Sequence, residues 1–216
     1  MKQLVIFDLD GTLLNTIADL AAAANHALEV LGLPVRSQAE CQSFVGNGVG
    51  KLLERALPEG KKTPEYMAKI RPAFFEYYDK HLADATLPYT GMAQLLAQLQ
   101  KRGIKLAVAS NKYQSATERL VKHFFPDIHF TAVLGQREGI PVKPDPTIVN
   151  DILFVAGCAR EDVLYVGDSD VDMQTAKNAG VRVCGVLWGF RTREVLAEYQ
   201  PDYLTAAPNE ILDMVM

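Results

Sequence analysis

Four short apolar segments constrain the fold of this chain more than any other feature of its sequence. They are rich in Val, Ile and Leu, are bounded by Asp, Asn or Gly, and comprise Gln3–Asp8, Ile104–Ser110, Val163–Gly167 and Val181–Leu187. Such runs are typical of strands that are buried on both faces. Amphipathic stretches lie between them, and a glycine closes two of these, Met92–Arg102 and Val171–Ala179. Strands that alternate with helices predict an α/β fold with a parallel, doubly wound sheet.

One interval breaks this alternation. From about Asn15 to Leu87 the sequence shows no convincing strand, but it shows helical patterns at Ile17–Leu31, Val49–Leu57 and Pro64–Leu82. We interpret the interval as a helical cap, residues 15–87, inserted into a core of residues 1–14 and 88–216. The connections at 13–16 and 85–91 are then hinges that carry the cap over the ligand end of the sheet. The alternative is a helical flank of the same domain.

Composition and charge favour a small-molecule partner. Lys and Arg total 22 against 26 for Asp and Glu, so the formal charge is −4 and no basic stripe suggests nucleic acid. The three cysteines lie far apart, and their odd number does not suit a secreted disulfide framework. The first apolar run is too short for a signal peptide, and none approaches the roughly 18 residues of a membrane span. We therefore expect a cytoplasmic monomer or small homo-oligomer that binds neither nucleic acid nor membrane.

Polar residues follow three of the predicted strands. The segments are Asp8-Leu9-Asp10-Gly11-Thr12, Ser110-Asn111-Lys112 and Gly167-Asp168-Ser169-Asp170-Val171-Asp172. The carboxyl ends of neighbouring parallel strands meet at one crevice, which is the usual ligand site of such sheets. Taken singly, each segment is equally explained by turn chemistry, because these residue types often end strands for local reasons. Three such endings together favour a shared site.

Asp8 and Asp10 are suited to phosphoryl transfer. Two residues apart on an extended strand, their carboxylates can point the same way, with a phosphoryl group between them. Asp8 can attack phosphorus and form an acyl phosphate, while Asp10 can protonate the leaving oxygen and then activate water. Gly11 permits a tight turn, and its N–H and that of Thr12 can face the substrate anion.

Asp168 and Asp172 bring further negative charge to the same crevice. Without a counter-charge, mutual repulsion would raise the pKa values of these carboxyl groups and destabilise the site. A hard divalent cation resolves the repulsion, so we expect Mg²⁺ bound by Asp8, the backbone carbonyl of Asp10, and Asp168, with Asp172 nearby. Asp170 is the weaker candidate, since a carboxylate at a helix start is favourable without a ligand.

Lys143, Ser110 and Asn111 complete the predicted site. Lys143 precedes Pro144-Asp145-Pro146, whose prolines stiffen the loop, and a lysine held there can neutralise phosphate and keep Asp8 ionised. The Ser110 hydroxyl and the Asn111 backbone can donate hydrogen bonds to phosphate oxygens. Taken alone, the lysine is equally well a surface residue, and Ser110 equally well forms a local turn.

These segments, in this order, resemble the haloacid dehalogenase superfamily over essentially the whole chain. The resemblance rests on Asp8-x-Asp10-Gly11-Thr12, then Ser110, then Lys143-Pro144, then Gly167-Asp168-x-x-x-Asp172. It implies a Rossmann-like core with a small helical cap, and Mg²⁺ as cofactor. It also implies a nucleophilic Asp8, an acid/base Asp10, phosphate-binding Ser110 and Lys143, and metal-site acids Asp168 and Asp172.

Within the superfamily the chain is most similar to phosphoglycolate phosphatases. The segment 44–57 resembles their cap signature, as does Tyr77-Tyr78 ahead of Tyr89-Thr90-Gly91. In the first segment, Gly46-Asn47-Gly48 precedes a helix and can present backbone N–H groups to a substrate anion. A glycine turn that only starts a helix explains the same residues equally well. The resemblance implies a phosphoglycolate-like phosphomonoester as substrate.

Three alternative functions remain open at this point. A phosphomutase acting on β-glucose phosphates would pass the phosphoryl group to a second hydroxyl, whereas a broad sugar, nucleotide or pyrophosphate phosphatase would release phosphate from many esters. A non-catalytic phosphometabolite sensor would need neither nucleophile nor acid, so the presence of Asp8 and Asp10 disfavours it. A fold alone does not establish activity.

Two groups of residues stay without an assigned role. A small carboxylate substrate requires a cation, and the available ones are Lys51, Arg55, Arg71 and Arg191. The sequence does not show which of them enters the site. The segment Trp188-Gly189-Phe190-Arg191 can touch the mouth of the site, although core packing and a helix start are the simpler interpretation.

Overall fold

The protein is described by a computed structural model that covers residues 2–216. Its strands are β1 Leu4–Phe7, β2 Leu14–Asn15, β3 Leu87–Pro88, β4 Lys105–Tyr113, β5 Ala132–Gln136, β6 Val163–Gly167, β7 Arg182–Val186 and β8 Tyr203–Thr205. Its α-helices are α1 Ile17–Val30, α2 Gln38–Phe44, α3 Gly48–Ala56, α4 Pro64–His81, α5 Met92–Lys101, α6 Gln114–Phe124, α7 Thr147–Ala156, α8 Asp170–Ala179, α9 Arg193–Ala197 and α10 Ile211–Met214. Apart from β1 and β2, which follow one another directly, helices alternate with strands except between β2 and β3, where α1 to α4 are consecutive. Across residues 2–216 we find no helix with the length and apolar character needed to cross a membrane.

A parallel sheet forms the centre of the molecule. Within residues 2–216 its strand order is β5-β4-β1-β6-β7-β8, which confirms the predicted α/β class. Strand β1 is buried on both faces, as its continuous apolar sequence predicts: Val5 and Phe7 belong to one apolar cluster and Leu4 and Ile6 to the other. Because Phe7 pairs in register with Val108 of β4 and Val166 of β6, the residues just beyond these three positions lie side by side.

The sheet differs from the sequence prediction at three places. Strand β4 does not end at Ser110 but runs on to Tyr113, with an irregular register between Ala109 and Tyr113. Strands β5 and β8 were not predicted, because β5 is only partly buried and contains Gly135, while β8 has three residues. Edge strands such as these lack the continuous apolar run that identifies a central strand.

The four consecutive helices are joined to the sheet by a short antiparallel ribbon. Leu14 pairs with Pro88 and Asn15 with Leu87, so the prediction of no strand in this interval is wrong at its two ends. The buried Asp19 carboxylate of α1 accepts hydrogen bonds from the backbone N–H groups of Ala85 and Thr86 and from the Thr86 hydroxyl. The ribbon and this contact lie at the two predicted hinges. The division at 15–87 stays a prediction.

Helix α2 was also not predicted, although the sequence carries a signal for it. The Ser37 hydroxyl accepts from the Glu40 backbone N–H, and the Glu40 carboxylate accepts from the Ser37 N–H. This reciprocal capping box, serine followed three residues later by glutamate, is a known helix start.

Candidate active site

A small cavity lies at the carboxyl end of the sheet, beneath the start of α3. Its volume is about 40 Å³. Both strand-end residues and residues of the helical insertion line it: Asp8, Asp10, Leu20, Val45, Gly46, Gly48, Val49, Leu52, Ser110, Asn111, Lys112, Asp168, Ser169, Phe190 and Arg191. The structure therefore brings together most of the residues that the sequence selects. Lys143 and Asp172 lie beside the cavity and are buried.

Lys143 joins two of the buried carboxylates. Its Nζ lies 2.9 Å from Asp8 Oδ1 and 2.8 Å from Asp172 Oδ1, and it donates to the Ala109 carbonyl oxygen. The Tyr165 hydroxyl also donates to Asp172. Burial opposes the charge on Lys143, but the two carboxylates outweigh it and raise the pKa of this ammonium well above its usual range. Lys143 is therefore a fixed positive charge.

The two carboxyl groups that contact Lys143 differ in their pKa. Burial and the neighbouring Asp172 raise the pKa of Asp8 well above its usual range, and Lys143 only partly opposes this. Burial also opposes the charge on Asp172. However, Lys143 and hydrogen bonds from Ser169 and Tyr165 outweigh it and lower the pKa of Asp172. Lys143 therefore stabilises the charge of Asp172 more completely than that of Asp8.

Asp168 is held from several sides. Its Oδ1 accepts from the Thr12 hydroxyl at 3.0 Å, and its Oδ2 accepts from the Phe190 backbone N–H at 2.7 Å. A Cβ atom added to Gly11 or Gly189 would lie within 2.3 Å of an Asp168 side-chain atom, so both glycines are needed for this close approach. Burial and the charge of Asp172 raise the pKa of Asp168 to about 7.

The packing around Asp168 predicts the effect of a methyl group at Gly189. Its Cβ would lie 2.2 Å from Asp168 Cβ, so Gly189→Ala must displace the carboxylate. We expect kcat/KM to fall about 100-fold, because displacing a reacting group by about 1 Å has this effect. Gly50→Ala is the control, since an added Cβ there meets no atom within 4 Å. Equal activity of the two variants in a phosphate-release assay would contradict the prediction.

Three carboxylates form a cluster that fits a divalent cation. Within residues 2–216, Asp8, Asp168 and Asp172 each offer an oxygen, and these oxygens lie within 4.8 Å of one another. All three side chains are buried, and among residues 2–216 Lys143 is the one cation that forms an ion pair with them, so negative charge is in excess in the cluster. Carboxylate oxygens are also the donors that Mg²⁺ prefers. Asp170 lies outside the cluster and pairs with Arg191 at 3.3 Å.

The raised pKa of Asp168 predicts a pH-dependent response to Mg²⁺. The raised pKa keeps a proton on Asp168 in the folded metal-free protein up to about pH 7, whereas the unfolded chain releases this proton near pH 3.8. Stability of the metal-free protein therefore falls as pH rises through this window. Because Mg²⁺ requires the ionised carboxylate, its stabilisation is expected to be larger at about pH 8 than at about pH 5. Thermal unfolding with Mg²⁺ and with EDTA tests this, and equal shifts at both pH values would contradict it.

Asp10 lies apart from this cluster and has other partners. Its Oδ1 accepts from the Thr16 hydroxyl at 2.7 Å and lies 3.0 Å from Lys112 Nζ. Lys112 is fully buried, and its ammonium lies 4.8 Å from the centre of the Tyr78 ring on α4. Burial opposes this charge, but Asp10 and Tyr78 outweigh it and raise the pKa of Lys112 above its usual range. Asp8 and Asp10 are thus each paired with a different buried lysine.

Some of the remaining predicted residues line the cavity and others do not. Ser110 lines the cavity, and its hydroxyl accepts from the Lys112 backbone N–H as in a local turn. The Asn111 amide donates to the Gly46 and Lys143 carbonyl oxygens, so it joins β4 to the loop before α3. Gly46 and Gly48 line the cavity, whereas Asn47 lines an outer cleft between α3, α4 and the segment after β5. The roles assigned to these residues stay predictions. The expectation that the Gly11 and Thr12 N–H groups face the substrate anion is wrong, because they donate to the Leu14 and Leu9 carbonyl oxygens within the turn.

Three cavity residues had no firm role on sequence grounds. Lys112 was given none. Phe190 and Arg191 line the cavity, as the alternative of a segment at the mouth of the site predicts, so core packing and a helix start are not the whole account. Arg191 donates to the Gln42 and Val45 carbonyl oxygens of the helical insertion. The one feature of the sequence that could have pointed to Lys112 is its position two residues after Ser110. Nothing in the sequence shows where the loop after β7 lies.

A family model described as haloacid dehalogenase-like hydrolase matches residues 5–186, which extend from β1 through β7. The chain belongs to this family. The hydrolase is 33% identical to a phosphoglycolate phosphatase of Vibrio cholerae, over 99% of this chain and 97% of the relative. It is 34% identical to a phosphoglycolate phosphatase of Neisseria meningitidis, over 98% of this chain and 92% of the relative.

A solved structure supports the same relationship. The hydrolase matches the crystal structure of a predicted phosphoglycolate phosphatase from Haemophilus somnus with a TM-score of 0.93 and 29% identity, covering 100% of this chain and 98% of that one. The sequence predictions of the family, the fold class and a phosphatase-type enzyme are therefore confirmed.

Proposed function

We propose that this hydrolase is a Mg²⁺-dependent phosphatase that acts on a phosphoglycolate-like monoester through a phosphoaspartate on Asp8. The supporting observation is the pairing of Asp8 with Lys143 at 2.9 Å, in a cavity that Asp10 also lines. A carboxylate nucleophile and a separate carboxyl acid thus face one small space. The predicted cytoplasmic location and the oligomeric state stay predictions.

The reaction has two steps. A carboxylate oxygen of Asp8 forms a bond to phosphorus while the bond from phosphorus to the ester oxygen breaks, and Asp10 gives that oxygen its proton. Asp10 then takes a proton from water, whose oxygen attacks the phosphoaspartate and releases phosphate and free Asp8. Asp10 is protonated at the start of the first step and ionised at the start of the second, while Asp8 is first the nucleophile and then the leaving group.

Other residues stabilise the charge of the transferring group. Lys143 and the Ser110 hydroxyl offer donors beside Asp8, and fixed donors in a buried site lower the barrier without reorganising. Asp8, Asp168 and Asp172 would hold Mg²⁺, with the Asp10 carbonyl as a further ligand. When bound, Mg²⁺ supplies positive charge to the phosphate oxygens.

The relatives favour a small leaving group. The curated relatives named above are phosphoglycolate phosphatases, and the chain aligns with them over nearly its whole length.

A substrate panel tests this proposal. Phosphate release is measured with Mg²⁺ on 2-phosphoglycolate, hexose phosphates, nucleoside monophosphates, pyrophosphate and acetyl phosphate, with Asp8→Asn as the blank. We expect 2-phosphoglycolate to give the highest kcat/KM. Another preferred ester would overturn the substrate assignment alone. Transfer of phosphate to a second sugar hydroxyl would favour the mutase, and no Asp8-dependent release from any compound would favour the sensor.

A further inference from the structure

We propose that Lys112 binds the carboxylate of the substrate's leaving group and so determines specificity for a phosphomonoester that carries an acid group. The inference rests on the proposed phosphatase function, which it deepens by naming the residue that recognises the leaving group. The sequence alone does not show which cation meets the substrate carboxylate, and this proposal names that cation.

The surroundings of Lys112 leave part of its ammonium free. Its side chain is only 3% exposed, yet it lines the cavity. Within residues 2–216, the one carboxylate paired with it is Asp10, at 3.0 Å. An ammonium group has three N–H donors, and the Asp10 oxygen and the Tyr78 side chain use at most two of them. A buried cation with unused donors beside a cavity is suited to a second anion.

Lys112 also lies on the correct side of the reacting phosphorus. Asp10 must contact the ester oxygen to protonate it, so the leaving group lies against Asp10, while Lys143 lies against Asp8. In 2-phosphoglycolate a single methylene separates the ester oxygen from the carboxylate carbon. A cation in contact with Asp10 is therefore within reach of that carboxylate.

The other candidate cations are placed less favourably. Lys51 and Arg71 line an outer cleft between α3, α4 and the segment after β5, where Lys51 is 56% exposed and pairs with Glu54. Arg55 donates to the Phe44 carbonyl and the Asn47 side chain. Arg191 lines the cavity, but three of its nitrogens already contact Asp170 and two carbonyl oxygens.

The charge balance points the same way. A substrate carboxylate placed beside the Asp10 carboxylate is repelled unless a cation lies between or beside them. Lys112 supplies that charge in a buried site, where solvent screens it little. A substrate without the carboxylate would leave the unused donors of Lys112 unpaired, and such mismatches produce strong discrimination.

The test compares two esters that differ in the acid group, 2-phosphoglycolate and 2-hydroxyethyl phosphate. We expect the wild-type enzyme to prefer 2-phosphoglycolate. In Lys112→Met the ratio of the two kcat/KM values is expected to fall about 100-fold, mainly through KM for 2-phosphoglycolate. An equal loss on both esters would show that Lys112 only positions Asp10 and would overturn the proposal. Lys51→Met is the control, and a shift of the ratio in that variant instead would assign recognition to the outer cleft.

A binding measurement tests the proposal without depending on turnover or on whether the Lys112 variant folds. Calorimetry on the Asp8→Asn protein with Mg²⁺ is expected to show tighter binding of 2-phosphoglycolate than of 2-hydroxyethyl phosphate, and Lys112→Met in that background removes the difference. Equal binding of both esters to Asp8→Asn overturns the role of Lys112 even if Lys112→Met does not fold. Efficient hydrolysis of both esters by the wild type would also overturn the role of Lys112, but it would support the phosphatase function. No hydrolysis of any ester would overturn the phosphatase function alone.

Discussion

Asp8→Asn is expected to lower kcat/KM for phosphate release by on the order of 10⁵-fold, because an amide cannot form the phosphoaspartate. The neighbouring groups cannot replace it. Asp172 is fully engaged by Lys143, Tyr165 and Ser169, and Asp168 accepts from Thr12 and the loop after β7. The measurement is a steady-state assay on 2-phosphoglycolate, together with a search for protein-bound phosphate after acid quench in the wild type and its absence in the variant.

The same substitution is expected to leave the fold intact. The pKa of Asp8 is raised by burial and by Asp172, so its ionised form destabilises the metal-free folded state as pH rises. Asparagine does not titrate, so the variant is expected to unfold at no lower temperature than the wild type at about pH 8. Asp213→Asn, at an exposed position in α10, is the control for activity. Residual activity above about one part in 10³ would contradict a nucleophilic Asp8.

The centre of the fold and the floor of the site could be predicted from the sequence because both depend on short-range patterns. A strand such as β1 is apolar along its whole length since both faces are buried, and Asp8 follows it directly. Once β1 lies between β4 and β6, the parallel register places Ser110 and Asp168 next to Asp8. No long-range information is needed beyond the order of three strands.

The upper part of the site depends on contacts that no local pattern reveals. Lys112 is a lysine within a strand, and such a residue is normally exposed, whereas here Asp10 and Tyr78 surround it. Phe190 and Arg191 reach the cavity because the loop after β7 turns back over Asp168. The sequence gives the type of these residues but not the position of the loop that carries them.

Polar contacts fix the loop before α3 against the sheet, and they explain why specificity is harder to predict than reaction class. The Asn111 side chain donates a hydrogen bond to the Gly46 carbonyl oxygen, and Arg191 donates one to the Val45 carbonyl oxygen. The loop before α3 is therefore fixed by residues that are distant in sequence. Asp8 and Asp168, two of the acids in the proposed mechanism, directly follow β1 and β6. Other walls of the cavity come from the helical insertion and from the loop after β7, which meet only in the folded protein.

Lys143→Met is expected to lower kcat/KM about 10³-fold and to destabilise the protein by about 3 kcal/mol at neutral pH. The activity loss follows from removing the fixed charge beside the nucleophile, at 2.9 Å from Asp8. The stability loss follows because removing one partner of a buried ion pair leaves an uncompensated charge. Lys177→Met, an exposed lysine on α8, is the control and is expected to change neither quantity.

The pH dependence of this destabilisation separates the role of the charge from simple packing. In the wild type Lys143 helps to lower the pKa of Asp172, so its stabilising effect is present above the usual pKa of a carboxyl group and is lost as pH falls through the lowered value. In Lys143→Met the buried carboxylates must take up protons to remain buried, so the difference from the wild type is expected to be larger at about pH 8 than at about pH 5. Urea unfolding at both pH values measures it. A difference that does not depend on pH would show that methionine fails through packing, and kcat/KM within about tenfold of the wild type would remove Lys143 from the reaction.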